Sequence, residues 1–160
     1  MPYIRVWLHF VWSTKNREPI LTRDLRTALF DHIASQARQK DIALDCFGGY
    51  MDHVHALISL GPDQTIAKIA QLLKGESSHW LNKSGMLQGH FQWQEEYYAV
   101  SVGESALHTV REYIRTQEEH HRRRRFAEEY KEFLEMHGII QGAGVKTPSF
   151  VCPSSLDATT

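Results

Sequence analysis

The sequence of apolar spacings is what most restricts the fold of this chain. From Tyr3 to Ser13 it alternates, with Ile4, Val6, Leu8, Phe10 and Trp12 on one wholly apolar face and Arg5, Trp7, His9 and Ser13 on a mixed one. The spacing then turns helical: Thr22 is placed to cap a helix running to about Lys40, with Leu25, Leu29 and Ile33 as its buried stripe. Strand-like runs return at Ile42 to Phe47 and at His53 to Leu60, separated by Gly48-Gly49, which reads as a turn. Ile66, Ile69, Leu73, Trp80 and Leu81 trace a second helix, about Thr65 to Asn82, and Tyr97 to Val102 reads as a fourth strand. A third helix begins near Ser105 with Ala106, Val110 and Ile114 on its stripe, and a final amphipathic stretch carries Phe126, Tyr130, Phe133 and Leu134 as far as His137. This β-α-β-β-α-β order followed by helices predicts an α+β, ferredoxin-like antiparallel sheet with extra C-terminal helices, helix-covered on one face and open on the other.

Length and composition agree with a single unit. The chain has 160 residues, of which 42% are hydrophobic and 23% charged, which excludes a disordered or low-complexity protein. Residues 1–138 form the expected folded domain, and the Gly/Pro/Ser/Thr-rich residues 139–160, which have no period, a flexible tail. The N-terminus lacks a signal-peptide layout and no apolar run reaches the ~18 residues of a membrane span. Cys46 and Cys152 form no CxxC pair. A soluble cytoplasmic protein with no membrane partner is expected. The net charge of −1 conceals an uneven distribution: residues 1–40 carry seven Lys/Arg against three Asp/Glu, and residues 41–100 the reverse. Arg122 to Arg125 form a basic run, which reads as a solvated helix face or a phosphate contact.

His53 and His55 are two apart in the third strand, so their imidazoles share a face and lie close enough to hold one metal ion. Val54, Ala56, Ile58 and Leu60 take the opposite, core-facing side, which puts both histidines on the open face. With ten histidines in the chain, chance alone supplies roughly 0.6 His-x-His pairs, and on spacing alone two half-exposed strand histidines without a ligand are the commoner case. Tyr113 and Gln117, four apart, share a face of the third helix, with His120 and His121 extending it. A boundary tyrosine with a wet hydroxyl is the plain alternative. Together these residues permit one chemistry. Two imidazoles and a carboxamide oxygen fix a divalent ion, and a tyrosine oxygen attacks phosphorus. Imidazole ligands favour Mn²⁺, Zn²⁺ or Co²⁺ over Mg²⁺, although Mg²⁺ is abundant and a phosphate substrate adds oxygens.

The segment Gly48-Gly49-Tyr50-Met51-Asp52-His53-Val54-His55-Ala56-Leu57-Ile58 resembles the core of insertion-sequence-200-like transposases, the single-tyrosine members of the histidine–hydrophobic–histidine (HUH) nucleases. Val110 to His121 resembles their tyrosine helix, and the segments 73–81 and 91–102 are similar as well, so the resemblance spans about residues 3–138. It implies an RRM-like or ferredoxin-like sheet acting on single-stranded DNA. Tyr113 would be the nucleophile, leaving a 5′-phosphotyrosine, with His53, His55 and Gln117 around Mg²⁺ or Mn²⁺ and no ATP. It further implies DNA hairpins as substrate and a homodimer in which one subunit's tyrosine helix can complete its partner's site. The acidic residues Asp45, Asp52, Glu95 and Glu96 depart from what a phosphate binder needs.

Other residues carry weaker expectations. Lys74, Arg111, Arg115, Arg122 and Arg123 are candidate nucleic-acid contacts, with solvated helix faces as the alternative. Trp7, Trp12, Phe91 and Trp93 stack bases or anchor core and loops, and Tyr97 and Tyr98 are rival nucleophiles. Three further readings stay open: a domesticated, repeat-associated tyrosine nuclease, a non-catalytic single-stranded nucleic-acid-binding module, and a metal-binding scaffold or hydrolase using water.

Overall fold

The computed structural model describes residues 2–119, together with Lys131 and Glu135. Its elements follow the predicted order: β1 Trp7–Ser13, α1 Arg23–Gln39, β2 Ala43–Gly49, β3 His53–Ser59, α2 Ile66–Ser84, β4 Tyr98–Val102 and α3 Leu107–Arg115. The four strands form one antiparallel sheet in the order β2-β3-β1-β4, which gives the expected α+β, ferredoxin-like topology. The final amphipathic stretch, the basic run with Arg122 and Arg123, His120 and His121, and the tail 139–160 lie outside the described residues, apart from Lys131 and Glu135.

Strand parity assigns the two faces. Leu8, Phe10 and Trp12 of β1 and Val54, Ala56 and Ile58 of β3 are buried against Leu25, Leu29 and Ile33 of α1 and Ile69, Leu73 and Leu81 of α2. Each fully buried side chain of this kind contributes ~1.5–3 kcal/mol, so this layer holds the domain together. Thr65 caps α2 by accepting from the Lys68 amide at 3.2 Å, and Gly85 ends it at φ 71°, a left-handed conformation that suits glycine. The loop after α2 is fastened by Phe91 and Trp93, both buried, and the Trp93 indole donates to Ser77 Oγ at 2.9 Å.

Three expectations need correction. First, the second face of the sheet is not open. Helix α3 lies across it, and Leu107, Val110, Tyr113 and Ile114 pack on Cys46, Leu57 and Val102 as a second, smaller core. Second, Gly48 and Gly49 are strand residues; the turn is Tyr50 to Asp52, closed by the Tyr50 amide on the His53 carbonyl at 2.9 Å. A side chain at Gly48 would stand 2.2 Å from the Ile114 carbonyl oxygen, so glycine is what lets α3 settle onto β2. Third, β1 starts at Trp7, and Ile4 and Val6 remain exposed beyond the reach of β4, which pairs Val102 with Trp7. β2 departs from strict alternation through a bulge between Leu44 and Cys46, after which Cys46 faces α3 and Phe47 faces α1.

Candidate active site

The residues singled out as chemical meet under α3. In the β1–β3 register Ser13 lies opposite His53 and Val11 opposite His55, on the face that does not contact α1 and α2. The two imidazole centroids are 5.1 Å apart, with their planes near perpendicular. Tyr113 from α3 sets its ring edge-on to His55 at 5.4 Å. Gln117, just beyond Thr116 at the C-terminal end of α3, brings Oε1 to 3.2 Å from His53 Nε2. The four residues expected to form a site are therefore neighbours in one chain. They are also buried: relative exposure is 0% for His53, 3% for His55, 1% for Gln117 and 6% for Tyr113, where an open sheet face had been expected.

Hydrogen bonding fixes the orientation of these groups. The Asp52 carboxylate can only accept, so His53 Nδ1–H donates to it, at 2.7 Å. Arg17 donates to the other Asp52 oxygen at 2.7 Å. Burial pushes the Asp52 carboxyl up, but the hydrogen bonds from His53 and Arg17 and the nearby Arg17 charge outweigh it and hold the group below its ordinary value. Gln117 Nε2 donates to the Tyr113 carbonyl at 3.1 Å, which turns its Oε1 toward His53. His53 with its proton on Nδ1 then presents a nitrogen lone pair to an amide oxygen. Two acceptors at this distance are compatible only with a proton or a cation between them, so the donor set suits a metal ion held by imidazole and carboxamide. Among the described residues, no group of three His, Cys, Asp or Glu side chains is arranged to hold a metal; this set depends on the carboxamide.

Sequence reasoning missed His9, whose Nε2 lies 2.9 Å from His55 Nδ1 and which is completely buried. Its place on the mixed face of β1 was legible, but its partner is 46 residues away in the chain. Arg26 was also missed. It is buried on α1, donates to the Leu21 carbonyl at 2.8 Å and sits over the Tyr50 ring. A cleft of about 350 Å³ opens beside Gln117 between α1 and α3, with Arg23, Arg26, Arg115, Gly48 and Gly49 among its lining residues.

The other candidates have structural commitments. Lys74 donates to the carbonyls of Gln94, Glu95 and Glu96 at 2.8, 2.6 and 3.4 Å, and burial pushes its ammonium below its ordinary value. Arg111 grips Asp45 through two bonds, of 2.7 and 3.0 Å, and covers the Trp7 ring. Arg115 is exposed and lies 3.5 Å from Glu112. Two of the four acidic residues that looked adverse to phosphate are thus matched by cations, Asp52 by Arg17 and Asp45 by Arg111. Trp12, Phe91 and Trp93 are core or loop anchors, and Tyr97 stacks on Phe10 on the α1–α2 side. Tyr98 pairs with Val11 and so points to the histidine face.

The chain is similar to known proteins in both sequence and fold. The family model described as "Transposase IS200 like" matches residues 3–117. The ISDra2 transposase TnpA of Deinococcus radiodurans is 27% identical over 114 residues, covering 68% of this chain and 81% of that protein. A solved protein of Deinococcus radiodurans R1 superposes with a TM-score of 0.58 at 25% identity, covering 73% of this chain and 95% of the other. The REP-associated tyrosine transposase, solved bound to a REP hairpin, shares the fold with a TM-score of 0.58 at 16% identity, covering 76% and 72% of the two chains. With a family match over well more than half its length, and its histidine strand and tyrosine helix joined in one site, the chain belongs to the IS200-like transposase family.

Proposed function

We propose that this transposase cleaves and rejoins single-stranded DNA through a covalent 5′-phosphotyrosine on Tyr113. The observation that carries the reading is the joining of Tyr113 to His55 and of Gln117 to His53 in one buried cluster of a transposase-family chain. In the cleavage step the Tyr113 phenolic oxygen gives up its proton and bonds to phosphorus. The bond from phosphorus to the 3′ oxygen breaks, and that oxygen leaves with the electron pair and takes up a proton as a 3′-hydroxyl. Attack of another 3′-hydroxyl on the phosphotyrosine reverses the step, so the phosphodiester energy is kept and no ATP is needed.

His53, His55 and Gln117 would hold Mg²⁺ or Mn²⁺, which when bound supplies a Lewis acid that polarises a phosphate oxygen. Asp52 and Arg17 orient His53, and Gln117 is oriented by the Tyr113 carbonyl. The cleft beside Gln117, with Arg23, Arg26 and Arg115 in its lining, supports a path for the phosphates that flank the scissile one. The DNA partner is proposed to be single-stranded with hairpin-forming ends, and the working form a homodimer.

The test uses hairpin-containing single-stranded oligonucleotides labelled at either end, incubated with Mn²⁺ or Mg²⁺ and resolved under denaturing conditions. The expected result is a metal-dependent covalent band that carries only the 3′ label and disappears in Tyr113→Phe while DNA binding persists. Cleavage that survives Tyr113→Phe unchanged would refute the nucleophile assignment, and saturable binding without cleavage would favour a non-catalytic module.

A further inference from the structure

We propose that His9 is a positioning residue that holds His55 in the tautomer able to ligate a metal. The inference rests on the metal-dependent reading above. Both histidines of the motif are engaged through Nδ1: His53 by Asp52 at 2.7 Å and His55 by His9 Nε2 at 2.9 Å. For His53 the direction is fixed by the carboxylate, and it leaves the Nε2 lone pair facing Gln117. His55 can present its Nε2 in the same way only if its Nδ1–H donates to His9, which must then accept through Nε2 and keep its own proton on Nδ1. A metal-ligating imidazole donates its other N–H to a neighbouring acceptor, and this partner sets both tautomer and ring angle.

The geometry supports the assignment. His9 is fully buried, its ring lies 5.1 Å from that of His55 and 6.2 Å from that of Tyr113, and His55 Nε2 is itself buried on the α3 side. β1 pairs on both sides, with β3 and with β4, so His9 is carried on a central strand of the sheet. A positioning group built there holds its geometry better than one on a loop.

The experiment uses the full chain as wild type, His9→Phe and His9→Gln, with thermal melts to establish that each is folded. Long-range ¹H–¹⁵N correlation spectra of the metal-free protein read the His55 tautomer, and calorimetric titration with Mn²⁺ reads affinity. Wild type is expected to carry the Nδ1–H tautomer at His55. His9→Phe should lose it, with Mn²⁺ affinity down by about 10–100-fold. His9→Gln, whose carboxamide oxygen can accept from His55, should recover most of both. An Nε2–H tautomer in wild type, or equal Mn²⁺ affinity in wild type and His9→Phe, overturns the proposal. A wild type that binds no Mn²⁺ overturns the metal reading instead, and the metal-free tautomer still decides whether His9 acts as acceptor.

Discussion

Gly48→Ala offers a sharp test of how α3 is held over the histidines. The new methyl carbon would lie 2.2 Å from the Ile114 carbonyl oxygen, whereas ordinary contact begins at 3.4 Å. Strand and helix backbones must therefore separate by about 1.2 Å, since the obstructing atom is main chain and cannot swing aside. Overpacking of this kind costs about 1–3 kcal/mol. Replacing a strand glycine by alanine returns about 0.5–1 kcal/mol of it, which leaves a net loss of up to about 2.5 kcal/mol. Tyr113 and Gln117 travel with α3, so a shift of this size should reduce covalent adduct formation by about 10²-fold. Urea denaturation gives the stability and quenched adduct assays the rate. Gly75→Ala is the control: Gly75 lies in α2 with nothing within 4 Å of an added methyl, and its substitution should stabilise by about 0.5–1 kcal/mol and leave the rate alone. If Gly48→Ala matched wild type in both stability and rate, α3 would not rest on β2 as described. A lost stability with an unchanged rate would break the link between that contact and the chemistry.

Three other outcomes follow from the same geometry. Burial holds the His32 imidazole below its ordinary value of 6.5, against the pull of Glu76, and its Nε2 is sealed without a hydrogen-bond partner among the described residues. The unfolded chain then binds more protons, so the penalty is full below the folded pKa and vanishes as pH rises past 6.5; His32→Phe, which keeps the stack on Trp80, should flatten that rise in denaturation midpoints. Lys74→Met removes the charged donor to three carbonyls of the 94–96 loop and should cost about 1–3 kcal/mol by urea denaturation, with faster proteolysis of that loop. Arg111→Ala breaks a partly exposed pair with Asp45 and should lower the urea midpoint only slightly, an effect reduced further in high salt.

Much of this was legible in local sequence because local rules govern it. The alternation at Leu8, Phe10 and Trp12, the stripes at Leu25, Leu29 and Ile33, and the shared face of His53 and His55 all follow from the period of a strand or helix. The i, i+4 spacing of Tyr113 and Gln117 is likewise a local matter, and it reappears as a side-chain bond from Gln117 to the Tyr113 carbonyl. What was not legible depends on contacts between distant segments. The apolar stripe of α3 was visible, but nothing in its spacing says that it packs across the second sheet face. Gly48 resembles a turn residue until the Ile114 carbonyl is placed above it. His9 has no neighbour in sequence that marks it, and Lys74 looks like a surface cation until the loop after α2 folds back over its ammonium. Asp52 counted against phosphate binding on charge alone, yet its charge is absorbed by Arg17 and His53.

Whether Tyr113 carries the bond to DNA is read by mass spectrometry of the trapped adduct. After reaction with single-stranded DNA and Mn²⁺, nuclease trimming and trypsin digestion, cleavage after Arg111 and Arg115 releases the peptide Glu112-Tyr113-Ile114-Arg115. This peptide is expected to carry a nucleotide 5′-phosphate on its tyrosine. A nucleotide on Tyr98 or any other residue, or cleaved DNA with the peptide unmodified, would contradict it.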